Sequence, residues 1–266
     1  MRVQMNSPAC FREVRKEAMR RNELFPQEIV AVATGTPSHV FLTNPSVQYI
    51  YRYLTRFVVD SCQRYFRRQP ADLQILDWGC GKGHVTLLLR ELGVEPVSCD
   101  LVNEKDDSSF GQATPLIEQF GIKVVPLKDD VELPFPDASF DAVIGMGVLE
   151  HVKDDAGSLC EIHRVLRPNG LFFCFFLPSA LSWTQRTVRL QGNYYHDRLY
   201  LKRKVSAMLR TQKFQILDFW RRQVFPKNEV RYVFPRIWDR LDQFLSERTP
   251  LGLLATNMEF VARKEE

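Results

Sequence analysis

The sequence predicts an α/β protein built on a parallel sheet covered on both faces. Three observations point there. From Leu73 onward, short apolar runs alternate with amphipathic segments at helical spacing. The apolar runs are nearly continuous, as strands buried on both faces are. The first of them leads directly into a glycine-rich turn, LDWGCGKGHV at Leu76 to Val85. Such turns let a ligand approach the main chain closely.

The elements follow in order. Residues 1–70 read as a helical extension, expected to cover the mouth of the ligand site. Phe11, Val14, Ala18 and Met19 fall on one helical face, with arginines and lysine between them. AVATGTPSHVFLTNP is rich in turn formers and reads as irregular. Asn44-Pro45 is a good helix start. It opens a stripe of Val47, Ile50, Tyr51, Leu54, Phe57, Val58, Cys62, Tyr65 and Phe66. Residues 71–266 form the second unit, with strands over 73–78, 95–102, 122–127 and 140–146 and helices over 84–92 and 155–166. The turn Arg167-Pro168-Asn169-Gly170 delivers the strand LFFCFFL at 171–177. A basic helix near 199–210 and strands at 214–220 and 257–263 complete the chain. Segments 178–200 and 223–256 have the least recognisable texture and are expected to shape a substrate pocket.

Composition narrows the class. A chain of 266 residues with 45% hydrophobic and 26% charged residues buries a core without staples. The six cysteines show no knuckle or redox spacing, which predicts reduced thiols and a cytoplasmic protein. The N-terminal run lacks the apolar stretch of a signal peptide. LFFCFFL is far too short to span a bilayer. The formal charge of +4 permits an anionic partner without requiring one. Contact with a membrane surface is conceivable through the striped basic segment 11–25.

Glycine turns of this kind hold dinucleotides, nucleoside triphosphates or sulfonium nucleosides. A dinucleotide turn needs a third glycine where His84 stands, and a triphosphate loop needs Ser or Thr after Lys82, where Gly83 stands. What remains is a strand ending in Asp77, the turn Gly79-x-Gly81-x-Gly83, and a carboxylate, Asp100, closing the next strand. Two acceptor oxygens suit Asp100 to both hydroxyls of a ribose.

ILDWGCGKG, Asp100, DDVELPFPDASFDAVIGMGVLEHV and EIHRVLRPNGLFFCFF together resemble the class I S-adenosylmethionine-dependent methyltransferases, in the branch called methyltransferase type 11. The resemblance spans about Leu73 to Leu177. It implies a Rossmann-like sheet of seven strands in order 3-2-1-4-5-7-6 with strand 7 antiparallel. It also implies S-adenosyl-L-methionine as cofactor and S-adenosyl-L-homocysteine as product. By the same resemblance Asp77, Gly79, Cys80 and Gly81 cradle the methionine part, and Asp100 with Leu101 beside it holds the ribose. Asp129 and Asp130 meet the adenine, and Gly145 and Met146 line the amino-acid end. Trp78 departs from the family's small aliphatic residue and either presses on the pocket or fills the sheet's flank.

Methyl transfer asks the protein to align two reactants and, for a hydroxyl acceptor, to remove a proton. His196 and His151 are the candidates, each set against a purely loop-shaping role; Glu150 belongs to the same loop as His151. Tyr194 and Tyr195 are read as packing or recognition, and Trp183 as core or pocket floor. His84 is expected to face solvent or cap its helix, with His39 in a loop and His163 in a covering helix. No catalytic metal is expected; Asp154 and Asp155 read as a helix start. The expected partner is a small-molecule acceptor, a hydroxyl of sugar, lipid or natural-product type. Two rivals stand beside it. One is an RNA-directed enzyme using Arg198, Lys202, Arg203, Lys204, Arg210, Lys213, Arg221 and Arg222, and the other is a non-catalytic cofactor-binding protein.

Overall fold

The computed structural model describes residues 8–101, 114–192, 196, 198–226 and 230–266, without the side chains of 37, 38 and 40. Seven strands form one sheet: β1 (Ile75–Trp78), β2 (Val97–Leu101), β3 (Val124–Leu127), β4 (Phe140–Met146), β5 (Leu166–Pro178), β6 (Phe214–Arg222) and β7 (Asn257–Lys264). Their order is β3-β2-β1-β4-β5-β7-β6, with β7 antiparallel to both neighbours. β1 and β4 run in parallel with Leu76 opposite Val143 and Trp78 opposite Gly145. Their carboxyl ends, and the loops that follow, therefore lie side by side.

Successive strand residues face opposite sides of the sheet. Ile75, Ala142, Ile144, Phe173 and Val261 join one core with α1 (Pro8–Arg20) and α3 (Pro45–Phe66). Leu76, Trp78, Val143, Phe172 and Phe260 join the other with α6 (Asp155–Val165) and α8 (Lys202–Thr211). Trp78 is 2% exposed in that second core, so it fills the sheet's flank.

α3 starts as expected: the Asn44 side chain accepts the Ser46 amide and Pro45 occupies the first turn. It is buried on more than one stripe, because Gln48, Arg52, Thr55, Asp60 and Ser61 are also inside. α1 covers its outer side, with Phe11, Val14 and Ala18 at 0–1% exposure. Phe11, Val14, Ala18 and Phe25 of the striped segment 11–25 are thus buried within the protein, while Leu24 is exposed.

Other expectations are corrected. Part of the supposedly irregular stretch is helix α2 (Gln27–Thr34), followed by a 3-10 turn over Pro37–Thr43. Ile29 and Ala33 pack there on Leu87, Leu88 and Leu116, and this tertiary burial sustains a helix of eight residues that would be too short to hold by itself. Helices α4 (His84–Glu91) and α5 (Pro115–Gln119) follow β1 and β2. Helices α7 (Trp183–Leu190) and α9 (Pro235–Arg248) occupy the two segments of weak texture. Trp183 is not core: it is 40% exposed, and its indole donates to the Val224 carbonyl at 2.8 Å. No described helix is long and apolar enough to cross a membrane.

Candidate functional site

The turn after β1 occupies the carboxyl edge. Gly79 has φ +67°, and a Cβ there would lie 2.7 Å from Val148 in the loop after β4. Glycine is therefore required on two counts, conformation and space. At Gly81, φ is +53°, and among the described residues a Cβ would meet nothing nearer than the Gly79 carbonyl oxygen at 4.0 Å. Among the described residues the notch on that side is open, and a side chain there would project into it.

The amides of the turn are engaged within the protein. Those of Gly79 and Cys80 donate to the Cys99 carbonyl at 2.9 and 3.0 Å. The amide of Gly81 donates to Asp100 Oδ2 at 2.6 Å, and that of Leu101 to Oδ1 at 2.7 Å. Asp100 thus ties the turn to β2 and still has acceptor capacity, because each carboxylate oxygen takes more than one donor. Burial raises its pKa while those two amides lower it.

Asp77 acts beneath the notch. It is 2% exposed and accepts from Thr86 at 2.7 Å, and Thr86 in turn meets Ser98 at 2.8 Å. This chain fastens α4 to β1 and β2. Burial pushes Asp77 up to about 7 against the lowering effect of Thr86.

Asp129 is exposed just past β3, where its Oδ1 accepts the amides of Val131 and Glu132 at 2.8 Å. Those two bonds hold its carboxyl below the usual range. Asp130 Oδ2 accepts the Lys153 amide at 2.6 Å. Gly145 lies against the Trp78 ring, 3.0 Å from where a Cβ would stand, and Met146 ends β4 beside it.

The loop after Met146 carries Glu150 and His151. Glu150 is 1% exposed, and neither carboxylate oxygen has a hydrogen-bond partner among the other described residues. Burial pushes it up to about 8. Its Oε1 lies 3.9 Å from His151 Nε2 and 3.8 Å from His196 Nδ1, and the two imidazole rings are 5.5 Å apart. Their ligating atoms fall within 4.8 Å of one another, close enough to hold a cation. The two histidines chosen from the sequence therefore meet around a buried carboxylate.

Tyr200, which the sequence did not single out, makes that meeting possible. It is fully buried, and its hydroxyl lies 3.1 Å from both the Leu149 carbonyl and Asp155 Oδ2. The segment after α7 is thereby pinned to the loop after β4. Arg189 of α7 donates to the His196 carbonyl at 3.0 Å from the other side. An aromatic of ordinary appearance offers no sequence signal for this role.

Several expectations change. His84 is neither solvent-facing nor a cap: Gly83 is the N-cap, and the ring is buried edge-on to Tyr51 at 4.4 Å. His39, expected in a loop, is fully buried in the 3-10 turn. The physical reason is shared, since the N-terminal extension lies over the start of α4. Asp154 caps α6 through the Ala156 amide, while Arg198 and Lys204 approach Asp155 at 3.8 and 3.9 Å. Arg222 is 5% exposed and paired with Glu259, which withdraws it from any phosphate-binding set. Tyr194 and Tyr195 lie outside the described residues.

Comparison with known proteins agrees with this geometry. A family model described as a methyltransferase domain matches residues 76–174. A probable S-adenosylmethionine-dependent methyltransferase of Mycolicibacterium smegmatis is 29% identical over 149 residues, covering 56% of this chain and 54% of that protein. A ubiquinone biosynthesis O-methyltransferase of Ruegeria pomeroyi is 32% identical over 125 residues, covering 46% of this chain and 49% of the relative. The chain thus spans about half the length of these curated relatives. The crystal structure of the YcgJ protein of Bacillus subtilis superimposes with a TM-score of 0.53 at 16% identity. It covers 80% of this chain and 99% of that one, a likeness of fold alone. Sheet order, glycine turn and domain match coincide: residues 76–174 match a methyltransferase domain, set on the sheet of the class I S-adenosylmethionine-dependent methyltransferase fold.

Proposed function

We propose that the protein methylates a hydroxyl of a small or medium-sized acceptor of sugar, lipid or natural-product type, with His196 as the base and Glu150 as its positioning partner. The observation that carries this reading is the pairing of His196 with a buried carboxylate at the edge where Gly81 leaves a notch open. A neutral hydroxyl becomes a competent nucleophile only as it loses its proton, and a base within reach contributes substantially to that step. The Ruegeria pomeroyi relative, named for O-methylation, supports oxygen as the accepting atom.

The residues present fit the family's cofactor. The open side of Gly81 would admit the methionine part, and Asp100 would accept the ribose hydroxyls with Leu101 alongside. Asp129 and Asp130, past the end of β3, would face the adenine. Gly145 and Met146 would border the amino-acid end, while Asp77 acts beneath by fastening α4. The bound cofactor supplies an electrophilic methyl group on a sulfonium centre. The chain's own work is to align the acceptor behind that carbon and to take its proton at His196. Ionised Glu150, 3.8 Å away, would stabilise the resulting imidazolium by its charge.

The test is transfer of radiolabel from S-adenosylmethionine to a panel of hydroxylated sugars, quinols and prenyl-linked glycans, with wild type and His196→Ala. Label entering a hydroxyl with wild type alone is the expected result. Cofactor binding without transfer to any acceptor would favour a non-catalytic role, and label entering RNA would favour the nucleic-acid reading.

A further inference from the structure

Helix α9 is inverted relative to an ordinary surface helix. Two of its acids and a serine face inward: Asp242 is 1% exposed and accepts the amides of Gln223 and Phe225 at 3.0 Å. Glu247 takes the buried guanidinium of Arg15, and Ser246 is 7% exposed. Its apolar residues face out. Phe234, Ile237, Leu241 and Phe244, at three-and-four spacing, are 63, 62, 39 and 57% exposed. Val233 before the helix is 84% exposed, and Leu251 after it is 46% exposed. Soluble surfaces do not ordinarily present so many large apolar side chains together.

The charge on this face has one sign. Arg231, Arg236, Arg240 and Arg248 are exposed, whereas none of the acids of 230–254 (Asp239, Asp242 and Glu247) is. A second copy docked face to face would set arginine against arginine with no exposed acid among 230–254 to answer it. A polyanion such as RNA would satisfy the arginines but leave the phenylalanines and isoleucine in water. An anionic bilayer satisfies both, with apolar side chains among the acyl chains and guanidinium groups at the phosphates.

The face is also tied to the extension that leads to the site. Asn44, at the start of α3, donates to the Val230 carbonyl at 3.3 Å. Arg236 donates to the Tyr49 hydroxyl at 3.0 Å and the Asn22 carbonyl at 3.2 Å. Two residues further along α3, the Tyr51 ring lies 5.0 Å from Phe176 at the end of β5.

We propose that the outward face of 230–254 docks the protein on an anionic lipid surface, bringing the carboxyl edge of the sheet to an acceptor held in or on that surface. This goes beyond the methyl-transfer reading and is tested without turnover, so its failure leaves that reading standing.

The experiment is flotation of the full chain with vesicles of phosphatidylcholine, alone or mixed with phosphatidylglycerol. Two variants accompany it, Phe234→Ser/Ile237→Ser/Phe244→Ser and Arg240→Glu/Arg248→Glu. Wild type is expected to float with the anionic vesicles and to be released by salt. Each variant is expected to lose about tenfold or more of the bound fraction while binding S-adenosylmethionine as wild type does. Should the serine variant misfold, the charge variant alone decides. Wild type remaining in the soluble fraction, or floating equally with neutral vesicles, overturns the proposal. So does a wild-type dimer that the serine variant dissolves, or RNA binding that the charge variant abolishes without any vesicle binding.

Discussion

Glu150 Oε1 lies 3.8 Å from His196 Nδ1, across two loops that are distant in sequence and adjacent in space. If this pair removes the acceptor's proton, His196→Ala and Glu150→Gln should each lower kcat by roughly a hundredfold or more. Affinity for S-adenosylmethionine, read by calorimetry, should stay unchanged in both. Equal activity in His196→Ala would return that residue to a loop-shaping role.

The pair also sets a pH dependence. Burial pushes Glu150 up to about 8 from 4.5, so between those values the folded chain holds a proton that the unfolded chain has released. Stability therefore falls as pH rises through this window. Glu150→Gln removes the titration. Its unfolding free energy, read by chemical denaturation, should gain on wild type from about pH 5 to about pH 8, by on the order of a few kcal/mol at most. Asp77 pushes in the same direction in both proteins and cancels in the comparison. For turnover the sign is opposite: protonated Glu150 carries no charge to stabilise the imidazolium that His196 becomes, so the rate should rise with pH toward about 8.

Asp100→Ala should weaken cofactor binding by about 1–3 kcal/mol, because ribose hydroxyls would lose a charged acceptor. The same change frees the Gly81 amide from its 2.6 Å bond, which loosens the turn. Calorimetry that shows unchanged affinity would remove Asp100 from the site.

Two glycine substitutions separate space from conformation. Gly81→Ala should cost about 1 kcal/mol of stability through its positive φ, yet obstruct cofactor binding, since its Cβ enters the open notch. Gly79→Ala should cost more, because its Cβ would also strike Val148 at 2.7 Å. Gly79→Ala/Val148→Ala should recover the steric part and leave the backbone part, as chemical denaturation of the four proteins would show.

Chelation addresses the closeness of Glu150, His151 and His196. With His196 acting as a base, turnover should survive dialysis against EDTA. Loss of activity restored by added magnesium or zinc would replace the base with a bound cation.

Much of the fold was readable from the chain because its causes are local. Strands buried on both faces leave uninterrupted apolar runs such as LFFCFFL, and the notch needs glycines at Gly79 and Gly81 whatever surrounds them. Asp100 ends its strand at the position where the resemblance expects a ribose acceptor. The helices α7 and α9 were not readable, since their burial depends on distant partners. α9 in particular turns Asp242 and Glu247 inward to meet Gln223, Phe225 and Arg15. A pattern of apolar residues alone cannot say which side of such a helix faces the core.

The sequence by itself determined the sheet, the glycine turn and the acidic residues at its carboxyl edge, through periodicity and backbone sterics that act over a few residues. Only the tertiary structure decided that Tyr200 would pin His196 beside Glu150, that the N-terminal extension would bury His84, and that α9 would present its apolar side outward. These depend on contacts between segments remote along the chain. Their energies come from burial and charge pairing, which no window of residues contains.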